Sequence, residues 1–310
     1  MRKLILFCVF IVCLTGTSAI GGEINPLSDL YSRTYHISIK DHYLFAASTV
    51  GLTIYKFDAD RLQQISVLKT ENSGSYSIID GDYLYLFAGN TGIYKIDIKD
   101  PSIPQVVWNG RLVGAALNGD IYKDSLVVSL GSTGFAIINK KNLNIVKLVE
   151  TPSYCSFVKV IGKRLLVSTE KNGIIIYDLS NPANIKKKQE IPVSRRVRDI
   201  FVRDNLLFLA NDTAGISVYK IEWDKFSFVG TYKTEDTARG LTGYKDYIFV
   251  ADGNTGIVVF KLDTNNALSP IKKFKTDYST NKVIIKDQKL IVSHDAMGVL
   301  VMDVDSLLNK

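Results

Sequence analysis

The sequence predicts an all-β fold, a seven-bladed propeller of four-stranded antiparallel blades, and three observations predict it. Seven glycines (Gly51, Gly92, Gly134, Gly173, Gly215, Gly256 and Gly298) recur at intervals of 41, 42, 39, 42, 41 and 42 residues. Each opens a short apolar run, such as "GIIIYDL" or "GIVVFKL", and another such run, such as "LLFLA" or "YIFVA", stands just before it. The runs are apolar on both sides rather than alternating, which suits strands covered on both faces. A period of roughly 40–45 residues is that of a propeller blade.

Paired helices have a similar period, but these runs are too short for them. A helix needs about ten or more residues at 3.6 periodicity, whereas each run here ends within about seven at polar turn residues. Val, Ile, Tyr and Phe dominate, which favours strands. The links "NTG", "STG" and "TAG" suit hairpins, because Gly takes positive φ without a Cβ clash. In the fifth repeat, "VRDIFV" is expected to be the innermost strand, then "LLFLA", "ISVYKI" and, outermost, "FSFVGTYKT". The last repeat, ending "GVLVMDVDSLLNK", has three strands. Part of residues 23–33, "EINPLSDLYSR", is expected to supply the fourth and close the ring, removing exposed edges. An open solenoid with end caps is the alternative.

Residues 1–19, "MRKLILFCVFIVCLTGTSA", have a basic start, an apolar run from Leu4 to Leu14 and a small-residue site at Thr17-Ser18-Ala19. This is the layout of a secretory signal peptide. Eleven apolar residues fall short of the roughly 20 needed to span a bilayer, with an uncleaved anchor as the alternative. The expected organisation is a signal peptide at 1–19 and one propeller domain at 20–310. The protein is then exported: periplasmic, secreted or on the cell surface. Cleavage removes Arg2 and Lys3, so the net charge of +7 becomes 7 − 2 = +5. It also removes Cys8 and Cys13. Cys155 alone then remains, so no internal disulfide forms, and it reads as a small buried hydrophobe.

At "GIIIYDLSNPANI" (173–185) and "GIYKIDIKDPSIP" (92–104) the chain resembles the LVIVD-repeat family of β-propellers. The likeness is Gly, an apolar run, Asp, then a Ser-Asn-Pro-like corner. The Asp stands at Asp97, Asp178 and Asp303, and is replaced by Lys56, Asn139, Lys220 and Lys261; the Pro corner is clear at Pro101 and Pro182. The resemblance implies a secreted or cell-surface propeller of a binding or scaffold class, with no fixed activity.

No catalytic layout is legible. The three histidines, His36, His42 and His294, form no close pair, and there is no phosphate loop or Gly-x-Ser-x-Gly elbow. No metal or cofactor is expected. Asp212, Asp252 and Asp295 precede Gly turns, where a carboxylate bonds the local backbone. Lys186-Lys187-Lys188 and Lys272-Lys273 lie beside outer strands, where Lys blocks edge pairing; nucleic acid is not an expected partner.

The start of each inner strand faces the central channel, a usual place for function. Counting back 15 to 17 residues from each Gly brings His36, Tyr76, Ser156, Arg198, Arg239 and Lys282 to the channel mouth, with Arg33, Tyr154 and Arg196 as neighbours and small residues in the third repeat, around Gly114 and Ala115. Cations gathered at one mouth form an anion-attracting funnel for a carboxylate, phosphate or acidic glycan. The blander alternative is that they point to water or pair with acids such as Asp199 and Asp236. The sequence therefore suggests a monomeric, non-enzymatic binding or scaffold propeller, recognising an anionic ligand, a glycan or a protein partner at the channel mouth. The alternative is a hydrolase- or lyase-type enzyme with its site in the channel.

Overall fold

A computed structural model of the chain describes residues 32–58, 61–222, 225–296 and 298–309. These form seven antiparallel sheets in chain order. The first is β1 (Thr34–Lys40), β2 (Tyr43–Ser48), β3 (Gly51–Asp58) and β4 (Arg61–Lys69). Next come β5 (Tyr76–Asp80), β6 (Tyr83–Phe87), β7 (Ile93–Asp97) and β8 (Gln105–Gly110). The third blade is β9 (Asn118–Tyr122), β10 (Ser125–Ser129), β11 (Phe135–Asn139) and β12 (Ile145–Val149). The fourth has β13 (Cys155–Ile161), β14 (Arg164–Thr169), β15 (Gly173–Asp178) and β16 (Lys186–Ile191). The fifth has β17 (Asp199–Arg203), β18 (Leu206–Ala210), β19 (Ile216–Ile221) and β20 (Phe226–Tyr232), close to the strands expected from the sequence. The sixth is β21 (Ala238–Tyr244), β22 (Tyr247–Asp252), β23 (Ile257–Leu262) and β24 (Leu268–Phe274). The seventh has three strands, β25 (Thr280–Lys286), β26 (Lys289–His294) and β27 (Val299–Asp303), then a short helix α1 (Val304–Asn309).

The doubly apolar runs have a direct cause. In β18, Leu206, Phe208 and Ala210 pack against blade 6, while Leu207 and Leu209 pack against blade 4. Alternate residues of one strand thus serve opposite seams, as a period of two requires. Every seam has its own buried cluster, from blades 1–2 through 6–7. A seventh cluster joins Ile37, Leu44 and Ala46 of blade 1 to Ile291 and Val299 of blade 7. An open stack of seven sheets has six seams; seven seams make a closed ring.

The expected outer strand from residues 23–33 lies almost wholly outside the described residues. The chain end differs from expectation. The notional tail of β27 becomes α1, whose Val304 and Leu307 are buried in the seam between blades 6 and 7. An apolar spacing of three places both side chains on one helix face, a pattern too short to stand out in the sequence.

The repeated glycines occupy the hairpins between second and third strands. Gly92 sits at φ 90°, and a Cβ there would lie 1.9 Å from the Gly110 carbonyl oxygen. Both conformation and space therefore demand glycine.

Candidate functional site: the channel and its mouth

Inner strands β1, β5, β9, β13, β17, β21 and β25 line the axis. Each contributes one residue to a common layer: His36, Tyr76, Asn118, Phe157, Asp199, Gly240 and Lys282. Contacts between non-adjacent blades identify this layer, because only the axis allows them. Tyr76 of blade 2 lies edge-on to Phe157 of blade 4, with centroids 5.9 Å apart. Lys282 of blade 7 is ion-paired with Asp199 of blade 5, and both side chains are almost fully buried. At blade 6, Gly240 leaves room: a Cβ there would meet the Lys282 Cα at 2.8 Å.

The same layer bonds successive blades together. The Ser77 amide donates to His36 Nδ1 (3.4 Å), the Val158 amide to Asn118 Oδ1 (2.6 Å) and the Leu241 amide to Asp199 Oδ2 (2.8 Å). Asn281 Nδ2 donates to the Thr34 carbonyl (3.0 Å), stitching blade 7 to blade 1. One step deeper, Lys159 pairs with Asp120 at 3.0 Å. The layer fills the channel with rings and compensated charge.

Burial sets the protonation of this layer. Desolvation, and then Lys282 and Lys159, hold His36 well below the ordinary histidine range. It is therefore neutral, and with Nδ1 accepting, its proton sits on Nε2. Burial, and then the charges of Asp199 and Asp120, push the Tyr76 phenol well above its usual value, against a hydrogen bond from Asn118. Cys155 is buried, and desolvation raises its thiol to about 12, which makes it inert.

Above this layer lies the mouth. Arg198 donates Nε to Asp212 Oδ2 at 2.9 Å, with NH2 at 2.8 Å from the same oxygen. Arg239 NH1 donates to Ser279 Oγ and Asn281 Oδ1, both at 2.9 Å, and lies 3.7 Å from Asp295. Arg196 is half-buried, and its buried Nε has no hydrogen-bond partner among the described residues. Arg33 is exposed, and the Tyr154 ring lies over Gly131. Asp252 accepts the amides of Glu235 (3.0 Å) and Asp236 (3.1 Å), fixing the loop that enters blade 6.

The eight expected site residues thus divide. His36, Tyr76 and Lys282 are in the channel layer. Arg33, Tyr154, Arg196 and Arg198 lie on the segments leading into their inner strands, Arg239 is in β21 one position before Gly240, and Ser156 bonds Ser168 within its own blade (3.3 Å). Asn118, Asp120, Phe157, Lys159 and Asp199 complete the channel and were not singled out from the sequence as site residues. A uniform count of 16 residues back from Gly134, Gly173, Gly215 and Gly256 reaches Asn118, Phe157, Asp199 and Gly240, the last being the gap. Among the described residues, no cluster of His, Cys, Asp and Glu is placed to hold a metal, and no helix is long and apolar enough to cross a membrane.

Comparison with known proteins agrees with the fold. The model of the LVIVD repeat matches residues 154–190, which is blade 4. The search of curated proteins found no match. Among solved structures, the WD40 propeller domain of Doa1 is 12% identical with a TM-score of 0.71, covering 88% of this chain and 93% of that one. The β-propeller domain of Cps50 (Swd1) from Myceliophteria thermophila is 9% identical with a TM-score of 0.70, covering 88% and 97%. BamB from Moraxella catarrhalis is 14% identical with a TM-score of 0.59, covering 86% and 82%. At such identities the likeness concerns fold alone. The chain is thus a seven-bladed β-propeller whose fourth blade matches the LVIVD repeat.

Proposed function

We propose that the protein is an exported, non-enzymatic binding or scaffold propeller that takes an anionic ligand, or an acidic segment of a protein partner, at the mouth of its channel. The observation that carries this reading is the arginine set above a filled channel. Arg196 and Arg198 stand on the loop that enters blade 5 and Arg239 at the start of β21 in blade 6, and the layer beneath them leaves the mouth, not the lumen, as the place for a ligand. Arg198 and Arg239 are held by Asp212 and Asp295, which fixes their directions while leaving donors of each guanidinium for a second anion. The buried Nε of Arg196 has no partner among the described residues, which favours an acceptor nearby. Export rests on residues 1–19; the mass of the mature protein from the periplasm or medium tests it, with cleavage after Ala19 as the expected result.

The binding test is calorimetric titration at low salt with phosphate, an oligogalacturonate and a hexaglutamate peptide. The wild type binds at least one of them, and Arg198→Ala combined with Arg239→Ala weakens that binding at least tenfold. Equal binding by the two proteins would end the reading.

A further inference from the structure

We infer that the rim between blades 4 and 5 carries a second, preformed site: a groove for an extended peptide segment whose aromatic or branched aliphatic anchor is flanked by acidic residues. The groove has a volume of about 430 Å³ and is lined by Ile191, Pro192, Val193, Tyr219, Phe226 and Phe228, among others. Its floor is apolar and open to water. Phe228 is 62% exposed and is continuous with the apolar lining of the groove, so it belongs to a patch and is not an isolated surface ring. The cause is its register: Phe228 faces Tyr219 across the ladder and meets it edge-on at 5.4 Å, so Tyr219 takes the inner position and Phe228 the outer.

The walls are locked from both blades. The Gln189 side chain donates to the Phe226 carbonyl (3.3 Å) and accepts the Phe226 amide (3.1 Å), joining β16 to β20. The Tyr219 hydroxyl donates to the Pro192 carbonyl (3.3 Å), holding the loop that forms the other wall. A groove held open in this way spends little ordering free energy on capture.

Charge chooses the occupant. β16 presents exposed Lys186, Lys187 and Lys188, of which Lys188 pairs with Asp178 at 3.6 Å, and the wall loop runs on into exposed Arg195. The one acid lining the groove, Glu190, is bound to Lys187. A second copy of this chain would bring the same basic edge against this one, and like charges opposed across a contact disfavour it. An acidic segment with an apolar anchor satisfies Phe228 together with Lys186 and Arg195, the cations left after Lys187 and Lys188 pair with Glu190 and Asp178. This site lies on the rim and does not depend on the mouth reading.

The test uses three fluorescein-labelled octapeptides: one with Leu-Trp at the centre and aspartates around it, one with Ala-Ala in place of the anchor, and one with lysines in place of the aspartates. Fluorescence polarisation against the full mature chain should show binding of the first peptide, at least fivefold weaker binding of the other two, and a further decline with added salt. Phe228→Ala, at an exposed position, keeps the wild-type melting temperature and weakens the first peptide at least tenfold. Arg198→Ala with Arg239→Ala leaves that binding intact, which separates this site from the mouth. Unchanged binding by Phe228→Ala, equal binding of the anchored and Ala-Ala peptides, or loss only in the mouth variant would overturn the proposal.

Discussion

His36 and Tyr76 stack across the seam between blades 1 and 2, with ring centroids 3.7 Å apart and planes 31° from parallel. Tyr76 also meets Phe87 edge-on at 6.0 Å, as it does Phe157 across the axis. One side chain therefore ties three blades together at the centre of the ring. Tyr76→Ala is expected to destabilise the fold by about 3 kcal/mol or more, the range for deleting a buried aromatic. Tyr76→Phe keeps the ring contacts and loses only the hydroxyl, and should cost about 1 kcal/mol. Urea unfolding midpoints for the two variants check both values.

The Lys282–Asp199 pair crosses the axis with side-chain exposures of 14% and 4%. Removing one partner strands the other in a site with little water. Lys282→Met should cost about 3 kcal/mol or more. The double variant Lys282→Met, Asp199→Asn should recover part of that loss, because no charge is then left unpaired. A double variant as unstable as the sum of the singles would show that the two groups do not interact.

Two buried histidines give the fold an acid limit. Burial takes His294 down to about 4, against opposing pulls from Asp277 and Asp295, and His36 is lowered further than an ordinary histidine by burial and nearby lysines. Unfolding exposes both to water, where histidine titrates near about 6.5. Between about pH 6.5 and 4 the unfolded chain therefore binds more protons at His294, and stability falls as pH falls by up to about 1.4 kcal/mol per pH unit for that group, with His36 acting in the same direction. Asp303 works in a lower window. It is held at about 2, chiefly by Ser306, so its contribution is present above the ordinary carboxylate value and is lost as pH falls from there towards 2. Melting temperatures across pH 4–7 for wild type and His294→Asn should show a shallower slope in the variant.

The glycines are not alike. Gly81 sits at φ 58° in a turn with no heavy atom within 4 Å of a built Cβ. The matching turns of other blades place Asp41 at φ 52° and Asp204 at φ 53°. Gly81→Asp should therefore change stability by less than about 0.5 kcal/mol, since aspartate tolerates this conformation. Gly92→Ala meets the Gly110 carbonyl and should cost more than about 2 kcal/mol. Equal effects of the two substitutions in thermal unfolding would contradict the turn assignment.

How the sequence disclosed the blades, and why it hid part of the site, both follow from strand geometry. β18 and β19 could be placed at "LLFLA" and "ISVYKI" because the Gly turn between them pins the register and the apolar runs end at polar turns. The channel layer was reached for His36, Tyr76 and Lys282 but missed by one residue for blades 4 to 6, where counting gave Ser156, Arg198 and Arg239. The layer there is Phe157, Asp199 and Gly240. In all three blades the layer stands 16 residues before the repeat Gly, and the count stopped at 17. A one-residue slip turns a side chain to the opposite face, so Arg198 and Arg239, one position before the layer, pair with Asp212 and Asp295 instead of ringing the axis. The ion pair of Lys282 with Asp199, 83 residues away, had no local signal, because only ring closure brings blades 5 and 7 to one axis.

Closure of the ring is tested most directly by native-state hydrogen exchange on the inner strands. In a closed ring no blade is terminal, so the amides of β1 and β25 exchange as slowly as those of β13, through global unfolding. Exchange of β1 and β25 faster by orders of magnitude than β13 would contradict it, because it would mark blades 1 and 7 as the free ends of an open stack.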